Sequence, residues 1–231
     1  LILIPALFAT FPDASPASLF GTNKSASVWG TSFSAWQYSR RVPLRRRMLL
    51  PAFVSAFLGA LIGAWTVTQI DPGFLRRLLP FVLLGVFIYT LRRRDLGTES
   101  RPLQDETTET LLMCTIAILV GFYDGFFGPG TGSFFVFLFV RFLGHDFLQA
   151  SAHARVLNVA TNLSALGLFA GTGHVWWALG AVMAVANVAG SLVGTRLALR
   201  YGSGFVRQAF IVVVGALIIR TGWDALRGLL G

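Results

Sequence analysis

One stretch constrains this chain more than any other. Gly121-Phe-Tyr-Asp-Gly-Phe-Phe-Gly-Pro-Gly-Thr-Gly-Ser133 separates two uncharged apolar runs, Leu111–Val120 and Phe134–Val140, with five glycines, a proline and one carboxylate. If both runs lie in lipid, the interruption lies at membrane depth. Irregular backbone exposed to hydrocarbon leaves several kcal/mol unsatisfied per polar group, so such a break is tolerated only inside protein or beside a cavity. The pattern therefore predicts a Gly-rich broken helix next to a working site. Glycines at Gly128, Gly130 and Gly132 let backbone approach a bound group, and a helix restarting near Thr131 and Ser133 points free N–H donors at it, which favours an anion.

The surrounding composition supports lipid. Of 231 residues, 55% are hydrophobic and 13% charged, about half the charge of a soluble domain. Residues 78–91, 176–193 and 210–219, taken with their flanks, reach spanning length, and an all-α polytopic membrane protein is the fold class expected. A formal net charge of +9 would suggest nucleic acid in a soluble protein. Here the arginines sit between apolar runs, as the positive-inside rule requires, so no nucleic-acid partner is expected. Cys114 is the only cysteine and the three histidines are scattered, which leaves no disulfide, no metal set and no cofactor motif.

The two halves align without a gap at a constant offset of 131 residues. Gly59 and Gly63 fall on Gly190 and Gly194, Phe74 and Arg76 on Phe205 and Arg207, Phe11 on Phe142, and Thr90 on Thr221. The same offset sets Lys24 on Arg155, Ser27 on Asn158 and Thr31 on Asn162, and carries Leu1 onto Gly132. The counterpart of the Gly-rich break is thus expected before residue 1. Repeat one (1–91) reads as segments 1–11, 17–39, 48–68 and 74–91, and repeat two (110–231) as 110–127, 133–142, 147–170, 175–199 and 205–226. A polar, cytoplasmic linker at 92–109 joins them. Arg40, Arg41, Arg45, Arg46 and Arg47 crowd one connection of repeat one, whereas its equivalent, Gly171–His174, carries no formal charge and Arg196, Arg200 and Arg207 gather at the next. That switch of sides predicts inverted topology with a site near the midplane.

Few ionisable residues lie within the apolar segments. Asp124 is a candidate for proton coupling, with capping or pairing to Arg155 as the structural alternative. Lys24 with Thr22, Asn23 and Ser27, and Arg155 with Asn158 and Asn162, form two polar helix faces bearing one cation each, a receptor for an oxyanion. Snorkelling to the interface is the alternative for both cations. His153 adjoins the second face and joins Asp124 as a coupling candidate. His145 and Asp146 are expected in an interface loop, and His174 beside Trp176 and Trp177 in an aromatic belt. Gly59/Gly63 and Gly190/Gly194 read as close helix-packing pairs.

The 121–133 block, the Ala-x-Ala-Arg-x-x-Asn-x-x-x-Asn pattern at 152–162 and Gly21-Thr-Asn-Lys24 together resemble the TauE/SafE family, often called sulfite exporters, in its YfcA-like branch. The resemblance covers essentially the whole chain. It implies a bacterial inner-membrane permease of about eight helices moving small anions such as sulfite, sulfonates or related sulfur compounds, with a further N-terminal helix and glycine run ahead of Leu1. A permease rather than an enzyme is expected, its partners a small anion and the lipid bilayer, with a homodimer as a further assembly. An anion channel and a non-transporting membrane scaffold are the competing readings.

Overall fold

The computed structural model describes residues 3–92, 105–197 and 200–201. The expected helix at 205–226, with Arg207, Arg220 and Arg227, lies outside the described residues, as does most of the arginine-bearing linker. Among the described residues every regular element is a helix: α1 (Leu3–Thr10), α2 (Pro16–Ser39), α3 (Arg46–Gln69), α4 (Pro72–Arg92), α5 (Glu106–Phe126), α6 (Thr131–Leu143), α7 (Phe147–Gly171) and α8 (Trp177–Leu197).

Local chemistry explains most boundaries. Ser15 caps α2 by accepting the Ser18 amide, with Pro16 following in the first turn, where its missing N–H costs nothing. Asp105 accepts the Thr107 and Thr108 amides, so α5 starts inside the stretch expected to be linker. Asp146 likewise caps α7 through Gln149. Gly144 ends α6 at φ 66°, with its amide returned to Phe139.

Three of these helices, α3, α5 and α8, are long and apolar enough to cross a membrane. α2 and α7, at 24 and 25 residues, are as long but mixed in character, because their polar residues point inward. α6, at 13 residues, spans about 20 Å and falls short of a bilayer core.

α3 packs most extensively on α5. Their backbones touch: a Cβ on Gly59 would stand 2.2 Å from the Ile118 carbonyl oxygen, and one on Gly63 2.1 Å from that of Phe122. Gly121 and Gly125 return the contact, at 2.5 Å from Ala56 O and 2.1 Å from Ala60 O. Small residues on both helices admit this approach, which gives dispersion contact where the hydrophobic effect between helices is weak. The second glycine pair behaves differently. Gly190 and Gly194 meet no described atom within 4 Å, so the close packing expected there is absent among the described residues.

α2 and α7 lie against each other, and α7 also packs on α3 and α6. One core, with Met48, Ala52, Met113, Phe135, Phe139 and Leu157, joins α3, α5, α6 and α7; a second, with Phe20, Val67, Leu75, Phe127 and Phe169, joins α2, α3, α4 and α7 near the end of α5. α8 meets α2 through polar groups: Ser191 Oγ donates to the Gly30 carbonyl at 2.7 Å, and Ser34 and Thr195 hydroxyls bond at 2.9 Å.

Gly63→Leu should lower stability by about 1–3 kcal/mol or more, because the side chain meets backbone that cannot swing away. Gly167→Ala, at an exposed α7 position with no atom within 4 Å, should be neutral or stabilising by roughly 0.5–1 kcal/mol. Melting midpoints of the two variants in one detergent check the contrast.

Candidate functional site

The site forms where α5 ends and α6 begins. Phe127 leaves helical geometry, and Gly128 and Gly130 take φ of 89° and 85°, a region L side chains rarely adopt. Two side chains brace this turn. The Tyr123 hydroxyl donates to the Pro129 carbonyl at 2.5 Å, and the Thr131 hydroxyl lies 2.8 Å from the Gly128 carbonyl. Gly130 caps α6 with no side chain. The Thr131 amide turns back to Gly128, and those of Ser133 and Phe134 to Gly130. The Gly132 amide has no backbone acceptor among the described residues.

α2 delivers Lys24 to this turn. Its ammonium donates to Asp124 Oδ2 at 2.7 Å, and Thr131 Oγ1 donates to Asp124 Oδ1 at 2.7 Å. Lys24 and Asp124 are 2% and 3% exposed, so neither cation nor carboxylate has water to solvate it and each stabilises the other. Asp124 thus pairs with Lys24 rather than Arg155. Snorkelling is overturned for Lys24 by its burial. The ammonium lies 3.4 Å from where a Cβ on Gly128 would stand.

α7 supplies the other half. A Cβ on Gly132 would be 3.1 Å from Asn158 Nδ2 and 3.8 Å from Arg155 Nη1, so the start of α6 is open toward an amide and a guanidinium. Arg155 is half-buried and has no carboxylate partner among the described residues. About one turn beyond Asn158, Asn162 Nδ2 donates to Thr31 Oγ1 at 3.3 Å, joining α7 to α2.

Several expected residues take other places. Thr22 accepts the Trp176 amide at 3.0 Å and so ties α2 to the α7–α8 connection. Asn23 is buried, Ser27 is half-buried, and Ser133 is exposed. His153 does not join Asp124. Two residues of helix turn it about 200° away from Arg155, and its ring lies 5.1 Å from that of His145.

His145 lies in the α6–α7 connection, a loop as expected, and is fully buried there. Its Nε2 lies 2.7 Å from Glu109 Oε1, and Arg45 reaches Glu109 Oε2 at 3.0 Å. Burial holds the His145 imidazole below its usual range, against the upward pull of Glu109. Sequence reasoning gave Glu109 no role, because it fell at the end of the 92–109 stretch expected to be a polar linker. Tyr123 was legible only as part of the glycine block.

Lys24→Met should cost about 3–5 kcal/mol by stranding Asp124 without its partner, and pairing it with Asp124→Asn should recover part of the loss. A double-mutant cycle on melting midpoints reads both. Additive single losses would mean the pair contributes nothing as a pair.

The model of the sulfite exporter TauE/SafE family matches residues 1–221. Among similar proteins, "Probable membrane transporter protein ORF9" of a Sinorhizobium species is 34% identical over 221 residues, covering 95% of this chain and 83% of that one. A "Probable membrane transporter protein" of Haemophilus influenzae is 31% identical over 227 residues, covering 96% and 88%. "Probable membrane transporter protein YfcA" of Escherichia coli K12 is 34% identical over 227 residues, covering 97% and 82%. No solved structure matches. Its matches run nearly end to end and three of its described helices have spanning length: this is a membrane-embedded chain that belongs to the sulfite exporter TauE/SafE family.

Proposed function

We propose that the chain is a permease for small anions, with sulfite, sulfonates or related sulfur oxyanions as the substrate class, working in a bacterial inner membrane. The observation that carries the reading is the Arg155 guanidinium, without a carboxylate partner among the described residues, facing the open Gly132 backbone beside Asn158. A half-buried cation without a carboxylate, next to an amide donor and a helix N-terminus, is a receptor for negative charge. The names of its relatives support transport as the activity, and a sulfur oxyanion as cargo follows the family's name alone.

Asp124 and Lys24 provide the coupling. While Asp124 is ionised, Lys24 is neutralised and only Arg155 attracts the anion. A proton on Asp124 releases the ammonium, which then offers the substrate a second charge across the Gly128 turn. Binding of anion and proton would therefore reinforce each other. The buried position of Lys24 favours this over a scaffold with both cations among headgroups, and a carboxylate within reach of the cation favours a coupled carrier over an open channel.

The gap between α5 and α6 is the broken helix of this reading, and the halves are two inverted repeats, 1–91 and 110–231. Support comes from Thr31 and Asn162, which stand 131 residues apart, the repeat offset, and hydrogen-bond to each other. Where a pseudo-two-fold axis relates two repeats, equivalent positions meet at that axis, as these two do. A site beside that axis suits alternating access by movement of one half against the other.

Thermal stabilisation by sulfite, sulfoacetate, taurine, sulfate and thiosulfate tests the reading. An anion at about 100 times its Kd should add about 2.7 kcal/mol. Arg155→Ala should abolish that gain, whereas Asp124→Asn should keep anion binding and remove the pH dependence of flux in liposomes. Stabilisation by no anion, or unaltered transport in both variants, would sink it.

A further inference from the structure

Some four turns before Asp124 along α5, about 22 Å at helical rise, a second group of titratable side chains is closed off from solvent. Glu109 (1% exposed) comes from the first turn of α5, His145 (0%) from the α6–α7 connection and His153 (0%) from α7. Arg45, from the connection before α3, completes the group and is its one partly exposed member. Glu109 is well supplied, with Arg45 at 3.0 Å and His145 Nε2 at 2.7 Å. The histidines are not. His145 Nδ1 and both ring nitrogens of His153 are buried without a hydrogen-bond partner among the described residues.

An imidazole with two unmatched nitrogens costs more to bury than the leucine or phenylalanine that would fill the same space. Packing alone gives no reason for it. Each neutral ring keeps one basic nitrogen that can take up a proton, and the protonated ring, with its added charge and N–H donor unmatched while buried, is satisfied only where water reaches it.

We propose that Glu109, His145 and His153 form a proton-binding site separate from Asp124, which holds the arginine-rich end of the bundle closed while both imidazoles are neutral and releases it when they take up protons.

The charges around the group set the direction. The first proton, on His145, is tolerated because Glu109 accepts from its Nε2. A second, on His153, faces the His145 imidazolium and the Arg45 guanidinium, with Asp146 the one further carboxylate near it. Asp146 is already engaged with the Gln149 amide. α2 brings only the neutral Tyr38 to this turn of α7, against Ala152 and Ser151, and α6 brings Phe139. Two imidazolium rings at 5.1 Å beside an arginine repel. The four segments that meet there come from four separate parts of the chain, so repulsion parts them. Burial holds His145 below its usual range. The closed state is therefore fully stabilised above about pH 6.5, the imidazole's ordinary value, and loses stability as pH falls below it.

Cysteine labelling in nanodiscs reads the opening without any substrate. In a Cys114→Ala background, Val42→Cys reports on a buried position that packs with Tyr38 and Ala152 at this end, and Ser39→Cys is its exposed reference. Normalised to the reference, labelling at residue 42 should rise about tenfold or more from about pH 7.5 to about pH 5.5, the range in which histidine switches. His145→Gln with His153→Gln should flatten that rise. A flat profile with both histidines present overturns the proposal whatever the variants do, and so does an unchanged rise in the folded double variant. The inference rests on the permease reading for its use of an opening end. A flat profile would leave the anion site standing, and absent anion stabilisation with a steep profile would remove the anion site instead.

Discussion

The ion pair between Lys24 and Asp124 joins α2 to the end of α5 in an environment that solvates neither charge. Each is tolerated because the other is 2.7 Å away and because Thr131 supplies a further donor to the carboxylate. That requirement fixes where α5 must stop. Asp124 has to sit within reach of a hydroxyl on the next helix, and the Gly128–Gly130 turn brings Thr131 back to it. The glycine turn is therefore both a conformational necessity and the means by which a buried carboxylate is satisfied.

Around that pair the helices divide by chemistry. α3 and α5 are apolar and interlock through glycine and alanine, so their backbones approach as closely as the peptide groups allow. α2 and α7 carry serine, threonine and asparagine inward and meet each other, with Thr31 and Asn162 in direct contact. A rigid pair thus holds a polar pair. Groups that bind and release a ligand need a frame that does not move with them, and the close contact of α3 on α5 supplies it.

The two related cations have different surroundings, and the difference bears on mechanism. Lys24 is buried and neutralised; Arg155 is half-buried and has no carboxylate among the described residues. A site with both cations free would hold an oxyanion too firmly to release it, and one with both neutralised would not attract it. In the proposed permease, one free and one conditionally free cation would let affinity change with the state of a single carboxylate. Guanidinium suits the permanent role because it stays charged at every physiological pH, while an ammonium suits a role that alternates between partners.

Helices and apolar faces were legible in the sequence because they depend on neighbours in the chain. Residues 17–39 and 147–170 were read to within one residue of α2 and α7, whereas Asp146, read only as a loop residue, caps α7. Hydrophobicity also determined that the chain lies in a membrane. What the sequence could not determine is which distant groups meet, since nothing local distinguishes Lys24 pairing with Asp124 from Arg155 doing so. The placement of His153 shows the same limit: two positions from Arg155 in sequence, it faces the opposite side of the helix and meets His145, the partner of Glu109. Local patterning sets which face of a helix is polar, but the partner of each buried charge is decided by packing, because only tertiary structure brings opposite charges within a few ångströms and removes the water that would otherwise make the choice immaterial.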